Sequence, residues 1–540
     1  MKKEISVILS LQKLVLVAIV CAFFVFPQIV NALNSINTKY YTIIYDHNGE
    51  YTAGEIAKFC DDVYEKLAAT YNAFADNPRV TCLVNDAVDL ANGYAIYYQN
   101  TITIYATNMD FELRGQSNWL RNVFVHEMTH MISLQKAARG PINYLFIGGG
   151  KYNDNPDLSV NIALHHLSQP AWFSEGSAQV GAVTYGDEQW DTHRDMLLRS
   201  AWKEQSLLTF DEMTVLSGKK GMDAELVYNQ GFSMVQYIKD RYGYDKVVEL
   251  NNAAGFFDFN PTVKRVLGTK AGTLYTNWKE SLNKKYAPFK NKMFQEGELV
   301  KDLGSSDYFP VVSPDGKHLA WLSNRDKDYA ITDLMLTDLS TGKTRRLVRR
   351  VDYRLSWSHD SSKILYVKRP PRRPNFYDIY TYDISSDKET RLSKQMRARD
   401  PYFSPGDSLV VFVRNEAGNN AIAMINADGT GLRYVTSTHD GTQFYRPSFS
   451  PDGSKLVFGV FKQDFDRDIG MIDAHGQSFR YEWDFSDSTS GFSDSTSFAE
   501  NMDFTLLLGS SADERDPWFL PDGSGIVYAS DKTGVFNIYR

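Results

Sequence analysis

Cysteine is scarce, with three in 540 residues at positions 21, 60 and 82, and no pair is spaced as CxxC. That excludes a cysteine-built zinc site and a disulfide-dense scaffold. Charge of one sign is also lacking. A formal net charge of −8 argues against nucleic acid, and against an anionic membrane surface, as the default partner. What is present is apolar and aromatic residues, at 43% and 14% of the chain, the composition of a folded protein. A chain of 540 residues is too long for one core, and about two to four domains are expected.

The N-terminus reads as an export signal, residues 1–32. Lys2, Lys3 and Lys13 precede an apolar run from Leu14 to Phe26, and Val30-Asn31-Ala32 offers a cleavage point. If uncleaved, Leu14–Val30 is barely long enough to span a bilayer, and only then would the chain have a membrane partner. No lipobox-like small residue precedes Cys21. In an oxidising compartment Cys60 and Cys82 would either pair or remain buried thiols, and the sequence favours neither.

The chemistry is concentrated at His126-Glu127-Met128-Thr129-His130. On a helix, residues four apart share a face, so His126 and His130 can present two imidazoles to one metal ion. Glu127 then lies beside the open coordination position, where it can accept a proton from a water and pass it to a leaving amine. The helix expected over Trp119–Lys136, capped by Asn118, is apolar on nearly all sides, as a helix buried between layers must be. Two histidines and a glutamate inside it are costly unless something such as a metal satisfies them.

Around this helix the pattern gives a strand over Lys39–Tyr45, a helix over Thr52–Phe74 and a strand over Arg79–Val84. A hairpin follows over Gly93–Thr107, turning at Gln99-Asn100. Such a hairpin beside the metal helix is either an ordinary part of the sheet or an edge to which an extended peptide can add. Gly140–Pro170, with Gly148-Gly149-Gly150, reads as loop or short helices. Trp172-Phe173-Ser174-Glu175-Gly176-Ser177-Ala178 follows. Together with the HExxH pattern, this stretch resembles the gluzincin (peptidase MA-like) zinc metallopeptidases. The resemblance implies one zinc ion held by His126, His130 and Glu175, with Glu127 as general base. It further implies that a tyrosine near Val227-Tyr228-Asn229-Gln230-Gly231 steadies the oxyanion, and Tyr228 is the candidate. A packed helix tyrosine is the equal alternative. The 45-residue step from His130 to Glu175 is long for the family, which leaves His165, His166 and Asp157 as fallback ligands. Gln179 is a guess for the group that orients the histidines. Ser133 and Lys136 stand where the metzincin pattern needs Gly and His.

Beyond about residue 300 the helical stripes end. Ser313-Pro314-Asp315-Gly316, Ser358-His359-Asp360-Ser361, Ser404-Pro405-Gly406-Asp407 and Ser450-Pro451-Asp452-Gly453 recur every 45 or 46 residues, and Leu520-Pro521-Asp522-Gly523 comes later. Short strands flank each turn, which is the period of propeller blades. These repeats resemble TolB-type, WD40-like β-propellers. The delayed fifth turn coincides with a polar insertion, Phe485–Ser490 repeated as Phe492–Ser497. Five blades are visible, the fifth lacking an outermost strand. Either Glu298–Leu303 supplies that strand or the chain is part of a longer protein, which is the favoured reading.

The expectation is therefore a multidomain chain: an α+β zincin-like metallopeptidase domain over 33–290, a linker over 291–300 and an all-β propeller over 301–540. It is an exported, periplasmic or extracellular, peptide-hydrolysing enzyme acting on peptide or protein substrates. Its propeller would position the substrate or bind an envelope protein. The rival reading is an envelope scaffold working through its propeller, with a weak or inactive zinc domain.

Overall fold

The computed structural model describes residues 33–540 except 74–78, 112, 116–117, 138–143, 153–154, 164–168, 220–221, 255–257, 291–298, 302, 305, 326, 328–330, 371–375, 417, 437–440, 463–466 and 476–503. The export segment and the polar insertion at Phe485–Ser497 thus lie outside the described residues. Among the described residues no helix is long and apolar enough to cross a membrane.

The N-terminal region is mixed, with two cores. The first is built on a five-stranded sheet of β1 (Asn34–Asn37), β2 (Tyr41–Tyr45), β3 (Val80–Asn85), β4 (Gly93–Ile96) and β5 (Thr101–Tyr105), in the order β1-β2-β3-β5-β4. β2, β3 and β5 run parallel, and β4 returns antiparallel along β5 as the edge. β3 alternates buried and half-buried residues, the signature of a strand with one face on a core. Helix α1 (Glu50–Tyr71) covers that face through Ile56, Cys60, Val63 and Leu67, spaced three and four apart. Cys60 and Cys82 face this core as free, buried thiols rather than a disulfide. Burial pushes the Cys60 thiol up to about 11, so it is inert at neutral pH.

Helix α2 (Trp119–Ala137) carries the HExxH residues and packs against β4 and α1. The second core is helical: α3 (Ala171–Tyr185), α4 (Thr192–Lys203), α5 (Asp223–Tyr242), α6 (Tyr244–Asn252), α7 (Asn260–Leu267) and α8 (Ala271–Tyr286), around Trp172, Phe173, Phe232 and Trp278. α3 and α5 cross backbone to backbone. A Cβ on Gly176 would stand 2.4 Å from the Gly231 carbonyl oxygen, so only glycine permits this crossing. Between α2 and α3 the chain forms a hairpin, β6 (Tyr144–Tyr152) with β7 (Asn155–Ala163), where loop or short helices are expected from the glycine run. The glycine run lies within β6, where Gly148 pairs with Ser159 and Gly150 with Asp157.

The C-terminal region is a propeller of five antiparallel sheets. The blades are β8 to β11 (Asp307–Val312, His318–Ser323, Asp333–Asp338, Thr344–Arg349), β12 to β15 (Asp352–Trp357, Lys363–Lys368, Asp378–Asp383, Lys388–Arg391), β16 to β19 (Ala398–Phe403, Leu409–Glu416, Asn419–Asn426, Arg433–Tyr434), β20 to β23 (Gln443–Phe449, Lys455–Phe461, Asp468–Asp473, Thr505–Leu508) and β24 to β26 (Glu514–Phe519, Ile526–Ser530, Asn537–Tyr539). The fifth sheet has three strands, and the described residues of 299–303 add none to it. Of the two readings of the fifth blade, the one in which Glu298–Leu303 supplies its outermost strand finds no strand among the described residues of that stretch. Three of the blade turns, those starting at Ser313, Ser358 and Ser450, have a common cause. Ser313 Oγ donates to Asp315 Oδ1 at 2.6 Å and accepts from His318 N at 2.9 Å, and Ser450, Asp452 and Lys455 repeat the arrangement. The turn's last residue is left-handed, at φ 70° in Gly316 and 61° in Ser361.

The first strand of every blade carries a bulge. Left-handed residues sit within the bulges at Phe309, Tyr353, Asp400, Arg446 and Asp516. A bulge re-aims side chains, and these strands deliver a set of arginines to the end of the propeller that meets the N-terminal region.

Candidate metal centre and the cleft around it

The 3.6-residue period of α2 stacks His126 and His130, and the first turn of α3 brings Glu175 across to them. His126 Nε2 and His130 Nε2 are 3.1 Å apart, and Glu175 Oε2 lies 3.3 Å from His130 Nε2 and 3.4 Å from His126 Nε2. With metal–ligand bonds of about 2.0–2.2 Å, the vertices of a tetrahedron stand about 3.3–3.6 Å apart. The three donor atoms therefore match three corners of a zinc tetrahedron to within a few tenths of an ångström, and the donor set fits the ion.

The electrostatics point the same way. Burial alone would lower His130, but the Glu175 charge and hydrogen bond outweigh it and hold the imidazole up to about 9. Glu175 is held well below the usual carboxylate range: burial opposes this, and His130 and His126 prevail. The trio thus demands positive charge at its centre, from a proton or from a divalent cation that displaces it. Ser174 Oγ lies 3.4 Å from His130 Nδ1 and orients the ring. The motif that contains Ser174 gives it no role by itself, although its place directly before Glu175 on the same helix turn is a usable signal. Gln179 instead accepts from Arg194 at 3.3 Å.

Glu127 projects from α2 toward β4. A Cβ on Gly93 would sit 2.6 Å from Val123 Cγ2 and 3.0 Å from Glu127 Cγ, so the edge strand lies close against the helix there. Burial raises the Glu127 carboxyl above its ordinary range, with His126, His130 and the Ala95 backbone acting in the opposite direction. Tyr228, on α5, lines the same cleft, its ring 5.6 Å from the Arg114 guanidinium. Arg114 is in turn fixed by two 3.1 Å bonds to the buried Glu225. His165 and His166 lie outside the described residues, as does the side chain of Asp157 on β7.

The cleft has a volume of about 730 Å³. One wall is the β4 edge with Gly93, Tyr94 and Ala95, and the floor is the trio with Glu127. The opposite wall belongs to the propeller, through Tyr308, Phe309, Thr332, Tyr353 and Tyr377.

The TolB beta propeller domain family matches residues 291–484. Residues 307–539 form a TolB-type propeller of five blades. An uncharacterized protein of Agrobacterium fabrum is 33% identical over 128 residues, 23% of this chain and 42% of that protein, so the chain spans less than half the length of that relative. Among solved structures, TolB from Acinetobacter baumannii is 19% identical with a TM-score of 0.32, over 42% of this chain and 48% of that one. A putative TolB from Agrobacterium tumefaciens is 25% identical with a TM-score of 0.28, over 31% and 62%.

Proposed function

We propose that the chain is an exported zinc-dependent metallopeptidase of gluzincin type, with the propeller as its substrate-positioning module. The observation that carries the reading is the 3.1–3.4 Å triangle of His126 Nε2, His130 Nε2 and Glu175 Oε2, with Glu127 one residue along the same helix and in the same cleft. A structural zinc site needs no such carboxylate. The export signal read at residues 1–32 and the TolB-type propeller support an envelope or extracellular location.

Zinc, when bound by the trio, supplies Lewis acidity to a water and to the scissile carbonyl. Glu127 would take a proton from the water as its oxygen bonds to the scissile carbonyl carbon, and return it to the amine nitrogen as the carbon–nitrogen bond breaks. Its raised affinity for protons, caused by burial, suits a group that must hold a proton between these two events. The backbone of β4, paired on one side only with β5 among the described residues, lies alongside as an edge on which an extended peptide can hydrogen-bond. Tyr228 supplies a phenol to the developing oxyanion.

The test is mass-spectrometric profiling of a peptide library with the zinc-loaded protein and its Glu127→Gln variant. Cleavage by the parent that vanishes in the variant is the expected result. No cleavage by folded, zinc-loaded protein would shift the function to the propeller as an interaction module.

A further inference from the structure

The propeller is fastened to the N-terminal region at two places, one of them on the lining of the cleft. On the lip before α2, Arg397 forms 2.5 and 2.7 Å bonds with the two carboxylate oxygens of Asp86 and a 2.8 Å bond with Asp89. Both aspartates are 1% exposed. Asn108 Nδ2 donates to the Gly418 carbonyl at 3.0 Å. Asp110 enters the end of the propeller, 3.9 Å from Arg399 and 4.0 Å from Arg467. Neither of its oxygens accepts a hydrogen bond among the described residues. Away from the cleft lining, His193 of α4 meets Asp513 at 2.9 Å and its ring lies 4.6 Å from that of Phe536, tilted by 58°, while Thr192 bonds Asp531. Charges buried at such depth are not exchanged for solvent freely. The blades that line the cleft are therefore held in place as a fixed wall.

Resting on the peptidase reading, we propose that the propeller is a permanent cover over the metal site, and that the substrate class is the extended, unfolded segment. A cleft of about 730 Å³ is of the size that holds a few side chains, within the usual range of about 300–1,000 Å³ for small-ligand sites. A volume of that size encloses a short extended segment and not a folded domain. The lining is rich in rings: Tyr94, Phe111 and Trp119 on one side, Tyr308, Phe309 and Tyr353 on the other. Large apolar side chains near the scissile bond are favoured, since rings on both walls contribute dispersion and burial. Folded proteins offer such residues least on their surfaces, and unfolded chains offer them most.

The experiment reads access separately from catalysis. In the full chain carrying Leu134→Cys, at the cleft wall one turn beyond His130, labelling is followed by peptide mapping with a small maleimide and with the same maleimide on a 20 kDa polymer. In parallel, one cleavable sequence from the peptide library is supplied free, as a flexible tail on a folded protein, and within a short rigid loop of that protein. The small reagent is expected to label faster than the polymer reagent by about a hundredfold, because a fixed cover leaves the polymer only rare local unfolding as a way in. Asp86→Asn, which weakens one fastening, should narrow that ratio. Free and tail sequences should be cut at similar rates, and the loop-held one about a hundredfold more slowly. Equal labelling by both reagents overturns the cover whether or not any peptide is cut, as does loop cleavage at the free-peptide rate. Size-selective labelling with no cleavage in any format would support the cover and contradict the peptidase reading.

Discussion

At the scale of the residue, the proposed function divides the site into groups that hold and a group that reacts. On that proposal His126, His130 and Glu175 are holders, so their loss should empty the site. Glu127 should leave it loaded. Glu127→Gln is expected to reduce kcat by about 10²–10⁴-fold, the range of a general acid–base, with zinc content by elemental analysis unchanged. A parallel loss of metal would make Glu127 a ligand and not a base. Ser174→Ala, which frees the His130 ring, should weaken zinc binding by about tenfold in a chelator competition, at the lower end for groups that orient ligands. These residues differ in how legible they were. His126, Glu127 and His130 are local, and one helix period places them together. Glu175 needed a second motif 45 residues on, because its approach depends on how α3 packs. Ser174 shares that dependence.

At the scale of the element, close packing at glycine and the hydroxyl-bridged turns set the predictions. Gly176→Val should cost about 3 kcal/mol or more in denaturant unfolding, by overpacking a backbone-to-backbone crossing. Gly272→Ala is the contrast. Its Cβ meets nothing within 4 Å, and in the exposed first turn of α8 alanine should stabilise by about 0.5–1 kcal/mol. The blade turns respond to acid. Asp315, Asp360 and Asp452 are held down to about 2 from 3.8 by serine hydroxyls and backbone N–H groups. A carboxyl depressed in the folded state stabilises above its unfolded value and loses that contribution as pH falls through the folded one. The thermal midpoint of the propeller should therefore fall between about pH 4 and pH 2, with a shallower slope in Asp452→Asn, as calorimetry would read. The turns were plain in the sequence because proline, aspartate and glycine act locally. β1 was not, since Asn-Ser-Ile-Asn has little strand character and forms only by pairing with β2. The β6–β7 hairpin was missed because three consecutive glycines suggest a loop.

At the scale of the whole molecule, what matters is that the propeller completes the cleft instead of hanging from a linker. None of this was legible. Asp86, Asp89 and Asp110 look like ordinary loop aspartates, and the arginines they meet lie some 300 residues away, so no local pattern joins them. Arg397→Ala would strand two buried carboxylates and should cost about 3–5 kcal/mol. The loss should appear in urea unfolding as early separation of a propeller transition from that of the N-terminal region. The measurement that bears most directly on zinc-dependent peptide hydrolysis is anomalous diffraction at the zinc edge from crystals of the full chain. The expected result is one strong peak about 2.0–2.2 Å from His126 Nε2, His130 Nε2 and a Glu175 carboxylate oxygen. Zinc-grown crystals with no peak at that triangle, or with the ion bound elsewhere, would contradict it.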